Sequence, residues 1–218
     1  YTNSPDQKTL SEQILGMSSK RAPNGPAQKL TTIRQRLVEG NYTDALRLCE
    51  EGQKNFPSHN GFLQLTGETQ LAMGNVEAAK SAFQRSIKLN AKDKSSHSSL
   101  ANLYFDLGKY VYAALSFSDV IYLDPDDSDS RYMQGLSYFK AKEWGRAAAA
   151  WEDLLHYKPD NEVVRVLLPQ TYYILAIEYN RLGNPSMGKQ SFKNALSINP
   201  NSNPVSYTHL RAHETQQH

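Results

Sequence analysis

The sequence predicts an all-α protein built from about five copies of a helix–turn–helix unit. A period of 34 residues places Pro57, Pro125 and Pro159 at matching positions, with Ala91 where a further proline is expected. Within each period, apolar residues recur at helical spacing in two runs. Gly-Asn pairs such as Gly40-Asn41, Gly74-Asn75 and Gly183-Asn184 mark turns between the runs. The prolines end the second run, because the residue before a proline is disfavoured in helical geometry.

Small and aromatic residues also recur at fixed positions in the unit. Gly135, Tyr138, Ala147, Trp151 and Pro159 follow one another at offsets of 3, 9, 4 and 8 residues. These offsets match part of the tetratricopeptide repeat (TPR) pattern. Most of the chain therefore resembles a TPR protein. The resemblance implies a right-handed α-solenoid in which the first helix of each repeat lines a concave groove.

The TPR domain is predicted to cover residues 26–202. Its predicted repeats are residues 26–59, 60–93, 94–127, 128–161 and 169–202, with a seven-residue insertion at 162–168. The insertion is inferred from the closing prolines, because Pro200 follows Pro159 by 41 residues instead of 34. Two interpretations of this apolar insertion are open. It lengthens the first helix of the fifth repeat, which Pro169 then kinks, or Pro169 begins that helix anew.

The N-terminal segment, residues 1–25, is predicted to be a polar linker. Leu10, Ile14, Leu15 and Met17 have the spacing of one short amphipathic helix, and the end of an earlier repeat is the alternative interpretation. The sequence does not begin with methionine, so we expect a fragment of a longer protein.

The C-terminal segment, residues 203–218, is predicted to be a non-native or disordered tail. The run from Val205 to Thr215 resembles a translated sequencing adapter. His209 and His213 have a spacing that binds metal on a helix, but no glutamate follows His209 as a metalloprotease motif requires. We therefore predict no metal site there.

Composition limits the classes of partner and of compartment. The 24 basic and 22 acidic residues are mixed along the chain and give a net charge of +2, which predicts no nucleic-acid partner. No run of 18 apolar residues is present, so no membrane span is expected. These features predict a soluble protein, either cytoplasmic or bacterial periplasmic, and do not decide between the two.

The sequence contains no recognisable catalytic or cofactor-binding constellation. Cys49 is the one cysteine and is expected to be a small buried hydrophobe. His59, His97 and His156 lie in different repeats, and no phosphate-binding glycine loop is present. The triplet that begins at Asn41 fits a glycosylation acceptor, but it also fits an inter-helix turn, which we favour. We therefore predict a protein that is not an enzyme and has no cofactor.

The resemblance also implies which side chains face the groove. The N-terminal half of the groove is mainly polar, as with Arg34, Gln64 and Glu68, and the C-terminal half is apolar and aromatic. The residues predicted to bind a partner are Asn102, Phe105, Tyr132, Leu136, Phe139, Tyr173 and Ile177. Aromatic side chains in a concave surface are frequent anchors for peptides or helices. The alternative is that some of them pack against neighbouring helices or a following repeat.

The predicted partner is a peptide or helix of another protein, and the oligomeric state is open. The carboxylate clamp of chaperone-binding TPR domains is missing, because Glu68 and Asp129 would repel a terminal carboxylate. The leading hypothesis is a protein-interaction scaffold. The alternatives are a regulatory arm of a larger enzyme and a scaffold that assembles with itself.

Overall fold

The computed structural model describes residues 25–200, which fold into ten α-helices and no strand. The helices are α1 Pro26–Val38, α2 Tyr42–Asn55, α3 Gly61–Ala72, α4 Val76–Leu89, α5 Lys94–Asp106, α6 Tyr110–Leu123, α7 Ser128–Lys140, α8 Trp144–Tyr157, α9 Glu162–Arg181 and α10 Pro185–Ile198. They form two compact units, with α1–α4 in unit 1 (up to residue 91) and α5–α10 in unit 2 (from residue 92).

Unit 1 has an apolar core between consecutive helices. Ile33 of α1, Cys49 of α2 and Phe62 of α3 are fully buried in one cluster. The expected burial of Cys49 is thus confirmed. Asn41 lies at the N-terminal end of α2, where its side chain accepts a hydrogen bond of 3.4 Å from the backbone N–H of Asp44, as its assignment to a turn predicts.

Helices α3 and α4 of unit 1 can pack closely because Gly67 has no side chain. A Cβ atom placed on Gly67 of α3 would lie 2.4 Å from Cε1 of Phe83 in α4. Phe83 is fully buried, and Ala79 on the same helix is as well. Helices α3 and α4 therefore approach each other closely at Gly67.

Unit 2 contains three helix pairs, α5–α6, α7–α8 and α9–α10, and α6 also contacts α7 while α8 contacts α9. Its largest core cluster brings together Trp151 and Leu154 of α8 with Val164, Leu168 and Tyr172 of α9. Burying such large apolar side chains is the main stabilising contribution of a small helical domain.

Helix α9 is one continuous helix of 20 residues and contains the predicted insertion, residues 162–168. Asn161 caps its N-terminus, because the Asn161 side chain accepts a hydrogen bond of 3.0 Å from the N–H of Val164. Pro169 lies inside the helix and is buried, so α9 passes through this proline and does not begin anew there.

The predictions for the two ends of the chain, a linker at 1–25 and a tail at 203–218, fall almost entirely outside the described residues. The repeat boundaries stay a prediction. Each of the first four predicted repeats contains one observed helix pair, whereas α9 begins at Glu162, before the predicted start of the fifth repeat at residue 169. None of the ten described helices is both long and apolar enough to cross a membrane.

Candidate partner-binding surface

Tyr173, one of the predicted groove residues, is a core side chain. It is 2% exposed, and its ring lies 5.6 Å from the ring of Phe192 on α10, measured between centroids. A ring in this position stabilises the α9–α10 pair and offers a partner almost no surface. For Tyr173, packing against a neighbouring helix is therefore the correct interpretation, and its use as an exposed anchor is not.

The three predicted residues of α7 are half-buried. Tyr132, Leu136 and Phe139 all pack against the main core cluster of unit 2. The carbonyl oxygen of Tyr132 accepts a hydrogen bond of 3.3 Å from Nε1 of Trp151. The Phe139 ring lies between two indoles, with centroids 5.0 Å from Trp144 and 5.6 Å from Trp151. Part of each side chain therefore packs in the core, and part is accessible to solvent.

The two predicted residues of α5 belong to a different part of unit 2. Phe105 is half-buried against the cluster of Ala101, Ala113 and Phe117, and its ring contacts that of Tyr110 edge-on at 5.4 Å. Asn102 is exposed. Phe105 therefore packs against a different core cluster from Tyr132, Leu136 and Phe139.

Among the apolar residues predicted to bind a partner, Ile177 is the most accessible, with 49% of its surface exposed. It belongs to a row of side chains on α9 that repeats every three or four residues. We call this row the α9 stripe, and its members are Val163, Val166, Gln170, Ile174, Ile177 and Arg181. At 3.6 residues per turn these positions lie on one face of the helix, over about 27 Å.

The N-terminal part of the α9 stripe comes from the insertion and was not in the predicted site. Val163 is 55% exposed and Val166 is 53% exposed. The spacing that joins them to Ile177 is visible in the sequence. Their exposure is not, because apolar residues in a helix are usually buried.

A small cavity lies between the α9 stripe and Trp144 of α8. It encloses about 70 Å³ and is lined by Trp144, Ile174, Ile177, Glu178 and Arg181. Trp144 also contacts Phe139, so its indole is next to both Phe139 of α7 and the cavity beside Ile177. Sequence reasoning did not assign Trp144 to this surface.

A larger cavity of about 250 Å³ lies between α8, α9 and α10. Tyr172 of α9 donates a hydrogen bond from its hydroxyl to Oε1 of Glu152 on α8. Burial, and secondly the neighbouring Glu152 carboxylate, raise the pKa of Tyr172 well above its usual range. The phenol therefore stays protonated and acts as a donor to Glu152.

Gln64 and Glu68, two of the polar residues predicted to face the groove, lie on α3 of unit 1. Gln64 donates a hydrogen bond of 3.0 Å from Nε2 to Oε1 of Glu68, one turn later on α3. Burial raises the pKa of Glu68 above its usual value, and the bond from Gln64 lowers it by less. Burial therefore makes the negatively charged form of Glu68 less favourable than it is in water.

The described residues hold no group of three or more His, Cys, Asp or Glu side chains that is placed to bind a metal ion. The thiol of Cys49 is fully buried, and this burial raises its pKa to about 11. A thiol in this state is a poor nucleophile at neutral pH.

Family models place the repeats on the sequence independently. Three models described as tetratricopeptide repeat match residues 65–128, 129–161 and 169–202. Together they cover more than half of the chain. A search of the curated proteins found no match.

Solved structures with the same fold include MamA and YrrB. A crystal structure of MamA is 21% identical, with a TM-score of 0.51, and the match covers 75% of this chain and 92% of that one. MamA 41-end from Desulfovibrio magneticus RS-1 is 15% identical, with a TM-score of 0.54 and coverages of 82% and 97%. The structure of YrrB, titled a TPR protein with an unusual peptide-binding site, is 12% identical, with a TM-score of 0.58 and coverages of 90% and 97%.

These likenesses concern the fold, and they agree with the repeats that the family models match. The predicted all-α class and the TPR resemblance are thereby confirmed. The chain belongs to the tetratricopeptide repeat family.

Proposed function

We propose that this chain is a protein-interaction scaffold that docks a peptide or helix of another protein on the α9 stripe. The observation that carries the proposal is the exposure of Val163, Val166 and Ile177, each about half exposed on one helix face. Exposing several apolar side chains along one helix face to water is unfavourable, and in soluble proteins such a face frequently marks a site that a partner covers.

The shape of the surface favours an elongated partner. The α9 stripe is about as long as five helical turns. An amphipathic helix or an extended peptide can place apolar anchors along such a row, whereas a compact ligand would cover only part of it. The cavity beside Trp144 and Ile177 is a place for one anchoring side chain.

The α7 side chains extend the same surface. Phe139 keeps part of its ring accessible and contacts Trp144, which lines the cavity beside the stripe. Tyr132 and Leu136 remain part of the proposed surface as half-buried neighbours. Tyr173 supports the surface from below by holding α9 against α10.

Two further observations support a scaffold. The chain belongs to a repeat family whose members are typically protein-binding and not catalytic, and YrrB carries a peptide-binding site by its title. The balanced charge of +2 gives no surface suited to a polyanion such as nucleic acid. The non-enzymatic role of this chain is part of the proposal.

The test uses the full chain and peptides selected against it from a random library. We expect Val166→Ser and Ile177→Ser to weaken binding about tenfold or more by fluorescence polarisation, because each removes an apolar contact at the centre of the surface. Leu196→Ser is the matched control, since Leu196 is 46% exposed but lies on α10. It should leave the dissociation constant unchanged.

Thermal unfolding of every variant shows whether a loss of binding is a loss of folding. Tyr173→Ala serves as the folding control, because its buried ring predicts a lower melting temperature. If both stripe variants stay folded and bind selected peptides as tightly as the parent, the α9 stripe is not the docking surface. If light scattering shows dimers that Ile177→Ser dissociates, the stripe serves self-assembly instead.

A further inference from the structure

The larger cavity of unit 2 lies on the side of α9 that faces away from the α9 stripe. Tyr172, Leu175 and Tyr179 of α9 line it. At 100° per residue these positions lie 120–180° around the helix axis from Val163. Its volume of about 250 Å³ equals that of about eight waters, which is enough for one long side chain.

Hydrogen bonds fix the orientation of the polar groups in this cavity. Gln190 donates a hydrogen bond from Nε2 to Oδ1 of Asn194 at 2.9 Å. The hydroxyl of Tyr172 donates a separate hydrogen bond to Oε1 of Glu152. One oxygen of the Glu152 carboxylate is therefore held by a residue of the cavity wall.

Glu152 is the one charged side chain among the residues that line the cavity. No lysine, arginine or histidine within residues 25–200 forms an ion pair with it. Its neighbours in the wall are mainly small or apolar, including Ala148, Ala149 and Met187. The cavity thus combines a solvent-exposed carboxylate, which has no ion-pair partner among the described residues, with mainly apolar walls.

We propose that this cavity receives the side chain of a lysine or arginine from a bound protein. The methylene groups would pack along Ala149 and Met187, and the cation would pair with Glu152. A long basic side chain fits both properties at once, because its stem is apolar and its end is charged. This proposal rests on the proposed scaffold function only for the source of the side chain. The cavity itself can be tested separately, with small cations in place of a bound protein.

Lysine and arginine differ in how they would use the carboxylate. An arginine binds best to both oxygens of a carboxylate, whereas a lysine needs only one. Oε1 of Glu152 already accepts the hydrogen bond of Tyr172. Two probes separate the cases: butylammonium has the end of a lysine side chain, and propylguanidinium has that of arginine.

The experiment titrates the full chain, labelled with ¹⁵N, with each cation and with neutral 1-butanol at constant ionic strength. We expect saturable shifts of the backbone amide signals of Ala148, Ala149 and Ser191, with at least fivefold tighter binding of a cation than of butanol. Glu152→Gln should weaken cation binding at least fivefold. Asp153→Asn, which removes the adjacent exposed carboxylate outside the cavity, should not.

Two further variants make the outcome decisive. Ala149→Leu fills the cavity and keeps Glu152, so it should also weaken binding of both cations at least fivefold. Ile177→Ser removes part of the α9 stripe and should leave probe binding unchanged, which separates this proposal from the proposed function. Equal binding of butanol and cations, or an unchanged constant in folded Glu152→Gln, would overturn the proposal. The cation that binds more tightly identifies the residue.

Discussion

Gly135 of α7 and Trp151 of α8 approach so closely that no side chain fits at residue 135. A Cβ atom on Gly135 would lie 2.2 Å from Nε1 of the indole. Trp151 is fully buried and donates a hydrogen bond to the carbonyl oxygen of Tyr132. The indole therefore cannot move aside without losing both core packing and this bond.

Enlarging the close-approach positions should destabilise unit 2. We expect Gly135→Leu and Ala101→Leu each to lower the free energy of unfolding by about 1–3 kcal/mol or more, since both positions are fully enclosed. Urea denaturation measures the change. Gly145→Ala is the control, because a Cβ there meets no atom within 4 Å. An unchanged midpoint for both Leu variants would contradict the repeat register.

Lys142 occupies a backbone conformation that favours glycine. Its φ is 62°, and it is the one non-glycine residue with positive φ in the described part of the chain. The corresponding inter-helix turns elsewhere carry Gly40, Gly74, Gly108 and Gly183, with φ from 69° to 79°. The fourth repeat thus holds a side chain where the others have none.

Lys142→Gly should stabilise the protein for this reason. Left-handed backbone costs a non-glycine residue about 1–2 kcal/mol, and the greater freedom of glycine in the unfolded chain offsets part of the gain. We expect a net increase of about 0.5–1 kcal/mol in the free energy of unfolding, read from the urea midpoint. Gly108→Lys is the reverse change and should destabilise. A lower stability of Lys142→Gly would show that Lys142 contributes more through its side chain than its backbone costs.

The helix pairs and their contacts could be predicted from the sequence because they depend on local signals. Gly67 and Gly135 recur at one position of the repeat, and the aromatic residues that cover them, Phe83 and Trp151, recur at another. Such spacing determines which faces of two adjacent helices meet.

The accessible surface could be predicted only in part, because accessibility depends on what covers a residue from elsewhere in the fold. Tyr173 and Ile177 lie one turn apart on α9, yet the first is 2% exposed and the second 49%. Phe192 of α10 covers Tyr173. No feature of residues 173–177 alone indicates that difference. Val164 and Val166 differ in the same way, since Val164 is fully buried in the core cluster that α8 and α9 share and Val166 is 53% exposed.

Cys49 should be unreactive in the folded protein. Its side chain is fully buried, and its pKa of about 11 leaves almost no thiolate at pH 8. We expect a thiol reagent such as dithionitrobenzoate to modify it at least a hundredfold more slowly in buffer than in denaturing urea. Reaction within seconds in the absence of urea would show that unit 1 opens readily around α2.

Glu68 should make unit 1 less stable as the pH rises. Burial raises its pKa in the folded state above the usual value of 4.5, so the folded protein binds this proton more tightly than the unfolded chain does. The contribution of the protonated carboxyl is fully present below about pH 4.5 and is lost as the pH rises through the higher folded pKa.

Glu68→Gln should consequently be more stable than the parent at pH 7. We expect a gain of about 0.5 kcal/mol, because solvent still screens part of the charge. The gain should vanish below the usual pKa of a glutamate. Urea midpoints at pH 4 and pH 7 measure it.

Glu39→Gln, in the same unit, is the matched control with the opposite sign, since hydrogen bonds from Arg36 and Gln35 lower the pKa of Glu39. That variant should be less stable than the parent at pH 7. Equal midpoints for Glu68→Gln and the parent at pH 7 would mean that Gln64 and solvent fully compensate the buried charge.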